Sequence, residues 1–265
     1  MGRVVIANVV EASASVFPAM AGVSASGSFE TKAVVGEPNR PLLLWQHVLS
    51  PGSEIRWHRP PVGHAVYVWS GTIEVDGHEL RQDGALFVAH GGQATLHCGS
   101  GPAVLLHFCR PENSIAAASR PGGCVHVVNK DAARYYRRET PVLHGHVFAD
   151  SGCPTCELWL HKSECFSATS VPRHFHTSDE IIFVVGGEMT LGRRKLTAGT
   201  AVAIDANTVY QFGTGEKGLS FINFRAVEPF AAVITPEGTA TPLISERLDV
   251  AELVARTQSR QAAAH

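Results

Sequence analysis

The chain repeats itself, and that constrains its fold more than any other feature. HRPPVGHAVYVWSGTIEVDGHELRQDGALFVAHGGQATLHC, from His58, can be laid on HFHTSDEIIFVVGGEMTLGRRKLTAGTAVAIDANTVYQFG, from His174. His58 pairs with His174 and Gly71 with Gly187, at the same spacing of 13. Gly77 then pairs with Gly192 and Gly84 with Gly199, after one residue of slippage at a hairpin. Internal similarity over such a span means a duplicated domain. The join lies in RPENSIAAASRPGG, Arg110 to Gly123, which has the small, polar, proline-bearing composition of a linker. The expected units are therefore 1–115 and 116–265.

Each copy reads as strands. AVYVWSGTIEVDG, ALFVA and AVLLHF in the first half answer to IIFVVGGEMTLG, AVAIDA and LSFINF in the second. These runs are of strand length, rich in Val, Ile, Leu and Phe, with polar residues alternating in several. The chain has 25 Gly and 15 Pro, so turns are frequent, and many turns between short apolar runs give an all-β architecture. Only the tail, DVAELVARTQSRQAAAH, reads as a short C-terminal helix, with Asp249 as its cap.

Net charge is -2 with no Lys/Arg block, which argues against nucleic acid and anionic membranes as partners. No apolar run approaches the roughly 20 residues of a membrane span. Glu11 cuts short the apolar run at the N-terminus, so no signal peptide is expected and the default location is cytoplasmic. Six cysteines are present, in a chain too long to depend on disulfides for its core. Cys153 and Cys156 form CPTC, half of a zinc site or a redox pair, or simply a turn that carries two thiols.

The chemistry concentrates in HFHTSDE. Residues i and i+2 of a strand point to one face, so His174 and His176 project together. Glu180 keeps the same parity after a short turn. Two imidazoles and a carboxylate make the facial set of non-haem Fe(II) oxygenases, which leaves positions open for substrate and dioxygen. Structural zinc would want four closed ligands, usually with thiolates.

The second half resembles the cupin superfamily. Its first motif, G-x5-H-x-H-x3,4-E-x6-G, is carried by His174, His176, Glu180 and Gly187, without the leading glycine. Its second, G-x5-P-x-G-x2-H-x3-N, is eroded: Gly199 opens it, but Asp205, Asn207 and Tyr210 stand at the proline, glycine and histidine. With the degenerate first copy, the chain looks like a bicupin: two tandem jelly-roll barrels, the metal-binding one C-terminal. The resemblance implies one divalent metal ion at His174, His176 and Glu180, Fe(II) favoured, with Mn, Ni or Zn as alternatives. It also implies a small-molecule substrate and a monomer or homodimer. The activity expected first is oxygenase chemistry on an enolic or aromatic compound, as in diketone- and flavonol-cleaving cupins. An isomerase, cyclase or lyase that uses no dioxygen, and a non-catalytic binder, are the other readings. Tyr210 is the expected catalytic residue. It would act as a phenolate ligand or as a hydrogen-bond or proton donor beside the metal, unless it is only an aromatic of the barrel wall. Gln211 should face the other way.

The first copy keeps less. Pro60 stands where the second histidine would be, His64 at the glutamate and Thr95 at the last histidine. His58, His64 and His97 are the candidates for a second site. His144 and His146 form an HGH without a following carboxylate, and His161 reads as a core histidine. Phe175, Ile182, Val184, Phe221 and Trp159 are candidate pocket walls.

Overall fold

The computed structural model describes residues 3–37, 39–112, 120–139, 142–150, 152–226, 231–234 and 240–242. The helix expected from Asp249 lies outside them. Within them the protein is all-β, with antiparallel strands in an 11-stranded, a seven-stranded and a five-stranded sheet. No helix among the described residues is long and apolar enough to cross a membrane.

Strand parity sorts most of the apolar residues into three large bodies, beside a small cluster of Leu43, Trp45 and Cys109. In His64–Ser70, Val66 and Val68 join Ile55, Trp57, Leu96 and Leu105 inside the first barrel, between the seven- and five-stranded sheets. In Glu180–Leu191, Ile182 and Val184 join Tyr210, Phe212 and Phe221 inside the second barrel. The alternate residues, Ala65, Tyr67, Ile181 and Phe183, belong to a third body, the seam where the barrels pack. Strands such as VYVW and IIFVV are continuously apolar because both of their faces are buried. Phe108 and Phe224, at equivalent places in the two copies, stack across the seam with centroids 5.0 Å apart. Burying one such ring contributes about 1.5–3 kcal/mol.

The repeat is legible in the turns. Gly71 (φ 82°) and Gly187 (φ 72°) occupy the left-handed region. A Cβ on either would meet a carbonyl oxygen, Pro102 at 2.4 Å or Gly218 at 2.2 Å. Only glycine allows the backbone to approach so closely. Each sheet also takes a strand from the other half of the chain. Val4–Asn8 pairs with Thr200–Ile204 in the second barrel, and Val125–Val128 pairs with Ala85–Val88 in the first.

Candidate functional site

His174 and His176 end the strand Ser170–His176 and are both buried, while Phe175 between them lies on the opposite face. The Nδ1–H of His174 donates to the carbonyl of Pro172 at 2.7 Å. A carbonyl can only accept, so the bond fixes the tautomer whose lone pair is on Nε2, the tautomer a metal-ligating histidine requires. The following turn is tied down by Asn207, in the left-handed region at φ 61°, whose N–H donates to the His176 carbonyl at 2.7 Å. Asp179 accepts from the Ala206 N–H at 2.9 Å. Glu180, 1% exposed, opens the next strand on the face that carries Ile182 and Val184.

Tyr210 sits directly opposite His174 in the strand pairing. Its ring centroid is 4.3 Å from His174 and 6.3 Å from His176, and it lies parallel to Phe212. Gln211 is exposed, as strand parity requires. Of the expected walls, Ile182, Val184 and Phe221 line the barrel; Trp159 is buried and donates its Nε1–H to His161 Nδ1 at 2.8 Å.

Two further residues complete the centre. Nη2 of Arg225 donates to His176 Nε2 at 2.9 Å and to Glu180 Oε2 at 3.0 Å. Asn223 Nδ2 donates to the same Oε2 at 2.8 Å. The other carboxylate oxygen, Oε1, is buried without a hydrogen-bond partner. Arg225 and Asn223 share a face of the strand Tyr210–Arg225, which pairs with the strand that begins at Glu180. The signal was present in the sequence: FINFR puts an amide and a charge two apart in an otherwise apolar run. His161, opposite Asn223, is held neutral: burial, then the nearby Arg225 charge, push its pKa well below the ordinary histidine value.

The donor chemistry suits a divalent ion. It offers an imidazole of fixed tautomer, a second imidazole and a buried carboxylate with an orphaned oxygen. The obstacle is Arg225, whose guanidinium lies on His176 Nε2 and Glu180 Oε2, the same lone pairs an ion would take. Arginine and metal are therefore alternatives there. Among the described residues, the three donors whose ligand atoms lie within 4.8 Å of one another are His126, Cys153 and Cys156.

In the first barrel, His58, His64 and His97 do not converge. His58 and His97 are exposed, and His97 Nδ1 lies 3.1 Å from Glu54 Oε2. Trp57, not His58, points inward. His64 instead joins a buried chain: His64 Nδ1 is 2.9 Å from His107 Nε2, His107 Nδ1 is 3.2 Å from His47 Nε2, and His47 Nδ1 is 2.9 Å from Thr31 Oγ1. Burial lowers His47 and His64 to about 3 and pushes His107 well below 6.5, so the chain is uncharged. His144 pairs with Glu164 at 3.7 Å, and the glycine between it and His146 is required, because a Cβ on Gly145 would lie 1.9 Å from the Lys162 carbonyl.

No family model matches the sequence, and no curated protein matches it. Solved structures do match its fold. Oxalate decarboxylase from Lactobacillus farciminis, in a formate complex, superimposes with a TM-score of 0.62 at 12% identity, covering 92% of this chain and 93% of that one. A candidate dioxygenase from Nostoc punctiforme gives 0.64 at 8% identity, covering 85% and 83%. YlbA from E. coli gives 0.61 at 11%, covering 84% and 90%. The architecture these comparisons define is the cupin jelly roll. Both barrels are present in one chain, so the fold is that of a bicupin.

Proposed function

We propose that the C-terminal barrel is the active site of a metal-dependent cupin enzyme acting on a small enolic or aromatic molecule. The divalent ion would be held by His174, His176 and Glu180, with Fe(II) favoured, Mn, Ni or Zn as alternatives, and dioxygen as co-substrate. One observation carries this reading: two buried imidazoles pack with a phenol, and a buried carboxylate whose Oε1 has no hydrogen-bond partner lies 3.8 Å from one of them, at His176 Nε2. When bound, the metal would supply Lewis acidity toward an enolate oxygen and open positions for dioxygen. The chain does the rest. The Pro172 carbonyl orients His174, and Asn223 holds Glu180. Ile182, Val184, Phe212 and Phe221 form an apolar wall that excludes water. Tyr210, against His174, is placed to pass a proton to or from the substrate. The Nostoc and Lactobacillus neighbours support an enzyme reading without fixing the reaction.

A second reading rests on Arg225. If its guanidinium is itself the resident cation, the barrel takes a carboxylate- or enolate-bearing molecule without a metal. The activity is then that of an isomerase, cyclase or lyase, or of a binder.

Metal analysis of protein purified without chelator, followed by oxygen-electrode assays with candidate enols, separates the readings. One equivalent of iron lost in His176→Ala, with substrate-dependent oxygen uptake, supports the oxygenase. One equivalent lost in His176→Ala without uptake leaves a metal enzyme of another class. Metal content unchanged by His176→Ala overturns the ligand assignment. The Arg225 reading stands if, in addition, melting of the Cys153→Ser/Cys156→Ser protein is indifferent to added Fe, Mn, Ni and Zn.

A further inference from the structure

Three donors away from the two barrel interiors lie on elements that belong with different sheets. His126 is on Val125–Val128, the strand that extends the first barrel's sheet. Cys153 and Cys156 are in the turn that leads into Trp159–Cys165, a strand of the second barrel's sheet. The turn is fastened beside the Gly122–Gly123 segment, where Gly122 N–H donates to the Thr155 carbonyl at 3.0 Å. We propose that His126, Cys153 and Cys156 bind one zinc ion, as a clasp between the two barrels and separate from the centre at His176.

The distances are those of a ligand set. Zn–S bonds of about 2.3 Å and Zn–N bonds of about 2.0–2.1 Å at tetrahedral angles place neighbouring ligand atoms roughly 3.5–3.8 Å apart. Cys153 Sγ lies 3.6 Å from His126 Nε2. The two sulfurs are 2.9 Å apart, so they separate by less than about 1 Å to accept the ion. They are free thiols, well beyond the roughly 2.05 Å of a disulfide. The Cys156 N–H donates to Cys153 Sγ at 3.3 Å, a bond that favours the thiolate. The hydroxyl of Thr155 lies 3.1 Å from His126 Nε2 and 3.4 Å from Cys153 Sγ, beside the ligand triangle, where it or a water would occupy the fourth position.

The donors also choose the metal. Two thiolates and an imidazole, with no carboxylate in the group, select zinc over magnesium, calcium or manganese. Binding displaces two thiol protons to solvent. Cys156 is part of the apolar seam, and Cys153 packs against it. An ion there would tie the turn to the first barrel's sheet at a point that already has its apolar backing. CPTC alone gives half of this site. The third donor lies 27 residues away, and only the fold brings it in.

The test uses the full chain, reduced with a phosphine, stripped of metal and titrated with Co²⁺ and then Zn²⁺. The expected result is a near-ultraviolet sulfur-to-cobalt charge-transfer band, abolished by one equivalent of zinc. The band should vanish in His126→Asn, Cys153→Ser and Cys156→Ser, checked for folding by circular dichroism, and persist in His176→Ala, which separates this site from the barrel centre. Zinc should also block alkylation of Cys153 and Cys156 in the unmutated protein, a readout that needs no variant. The absence of a sulfur band in the reduced protein overturns the proposal, as does a band that survives Cys153→Ser/Cys156→Ser. A native Cys153–Cys156 disulfide, with no zinc uptake after reduction, would overturn it equally.

Discussion

The two barrels place equivalent residues in the same register and fill them with opposite chemistry. Ala65 pairs with Phe108 and Ile181 with Phe224, so His64 answers to Glu180, His107 to Asn223 and Cys109 to Arg225. Both copies keep a hydrogen bond between the first two of these positions: 2.9 Å from His64 to His107, and 2.8 Å from Asn223 to Glu180. In the first barrel the bond belongs to a neutral imidazole chain. In the second it belongs to a carboxylate paired with a guanidinium. The neighbouring strand follows suit, with Ile55 and Trp57 facing inward in one barrel and His174 and His176 in the other. The jelly roll therefore dictates where a buried polar pair sits, and two or three side chains decide whether it is inert or charged.

The largest effect should come from breaking that charge. Removing one partner of a buried ion pair typically costs about 3–5 kcal/mol, because the other charge is left uncompensated. Arg225→Met should lose stability on that scale in urea unfolding, and Arg225→Met/Glu180→Gln should recover most of it. Cys109→Ala, the equivalent change in the first barrel, removes only a small neutral group and should cost about 1 kcal/mol. If the metal reading holds, a divalent ion should restore Arg225→Met, since it supplies the charge the arginine gave. Equal losses in the two barrels would break the comparison.

A smaller effect, counted per histidine and per pH unit, follows from pH. His47 and His64 are depressed to about 3, and His107 and His161 lie well below 6.5, all chiefly by burial. Their folded forms are neutral, while the unfolded chain takes up protons from about pH 6.5 downward. Their contribution is therefore complete above pH 6.5 and is lost as pH falls toward the folded values. The loss is about 1.4 kcal/mol per histidine for each pH unit. Three of the four belong to the first barrel, so Trp57 in its core should report acid unfolding before the second barrel opens. Simultaneous loss of both barrels would show the seam to be the stronger cooperative unit.

The sequence disclosed the duplication because glycine spacing and apolar parity survive divergence. It singled out His174, His176 and Glu180 as candidates because they are local, within seven residues. Arg225 and Asn223 were missed because they reach Glu180 only through strand pairing, 43 and more residues away. His58 misled for another reason: identity at an aligned position says nothing about facing, and in the first barrel it is Trp57 that turns inward. His126 was invisible from CPTC for the same reason as Arg225.

The smallest expected change in stability makes the sharpest functional test. Tyr210→Phe removes one hydroxyl and keeps the ring that packs on His174 and Phe212. Its cost should stay within about 1 kcal/mol. Thr95→Val, at the aligned position of the first barrel, changes a half-buried side chain and should stay within about 0.5 kcal/mol. Activity should then separate the two. If Tyr210 moves a proton, turnover of the enol that supports oxygen uptake should fall by about 10²–10⁴ and lose one limb of its pH profile, while Thr95→Val leaves both unchanged. A Tyr210→Phe protein with full turnover and an unaltered profile would reduce the residue to barrel wall. The difference between the barrels would then rest on Glu180, His176 and Arg225 alone.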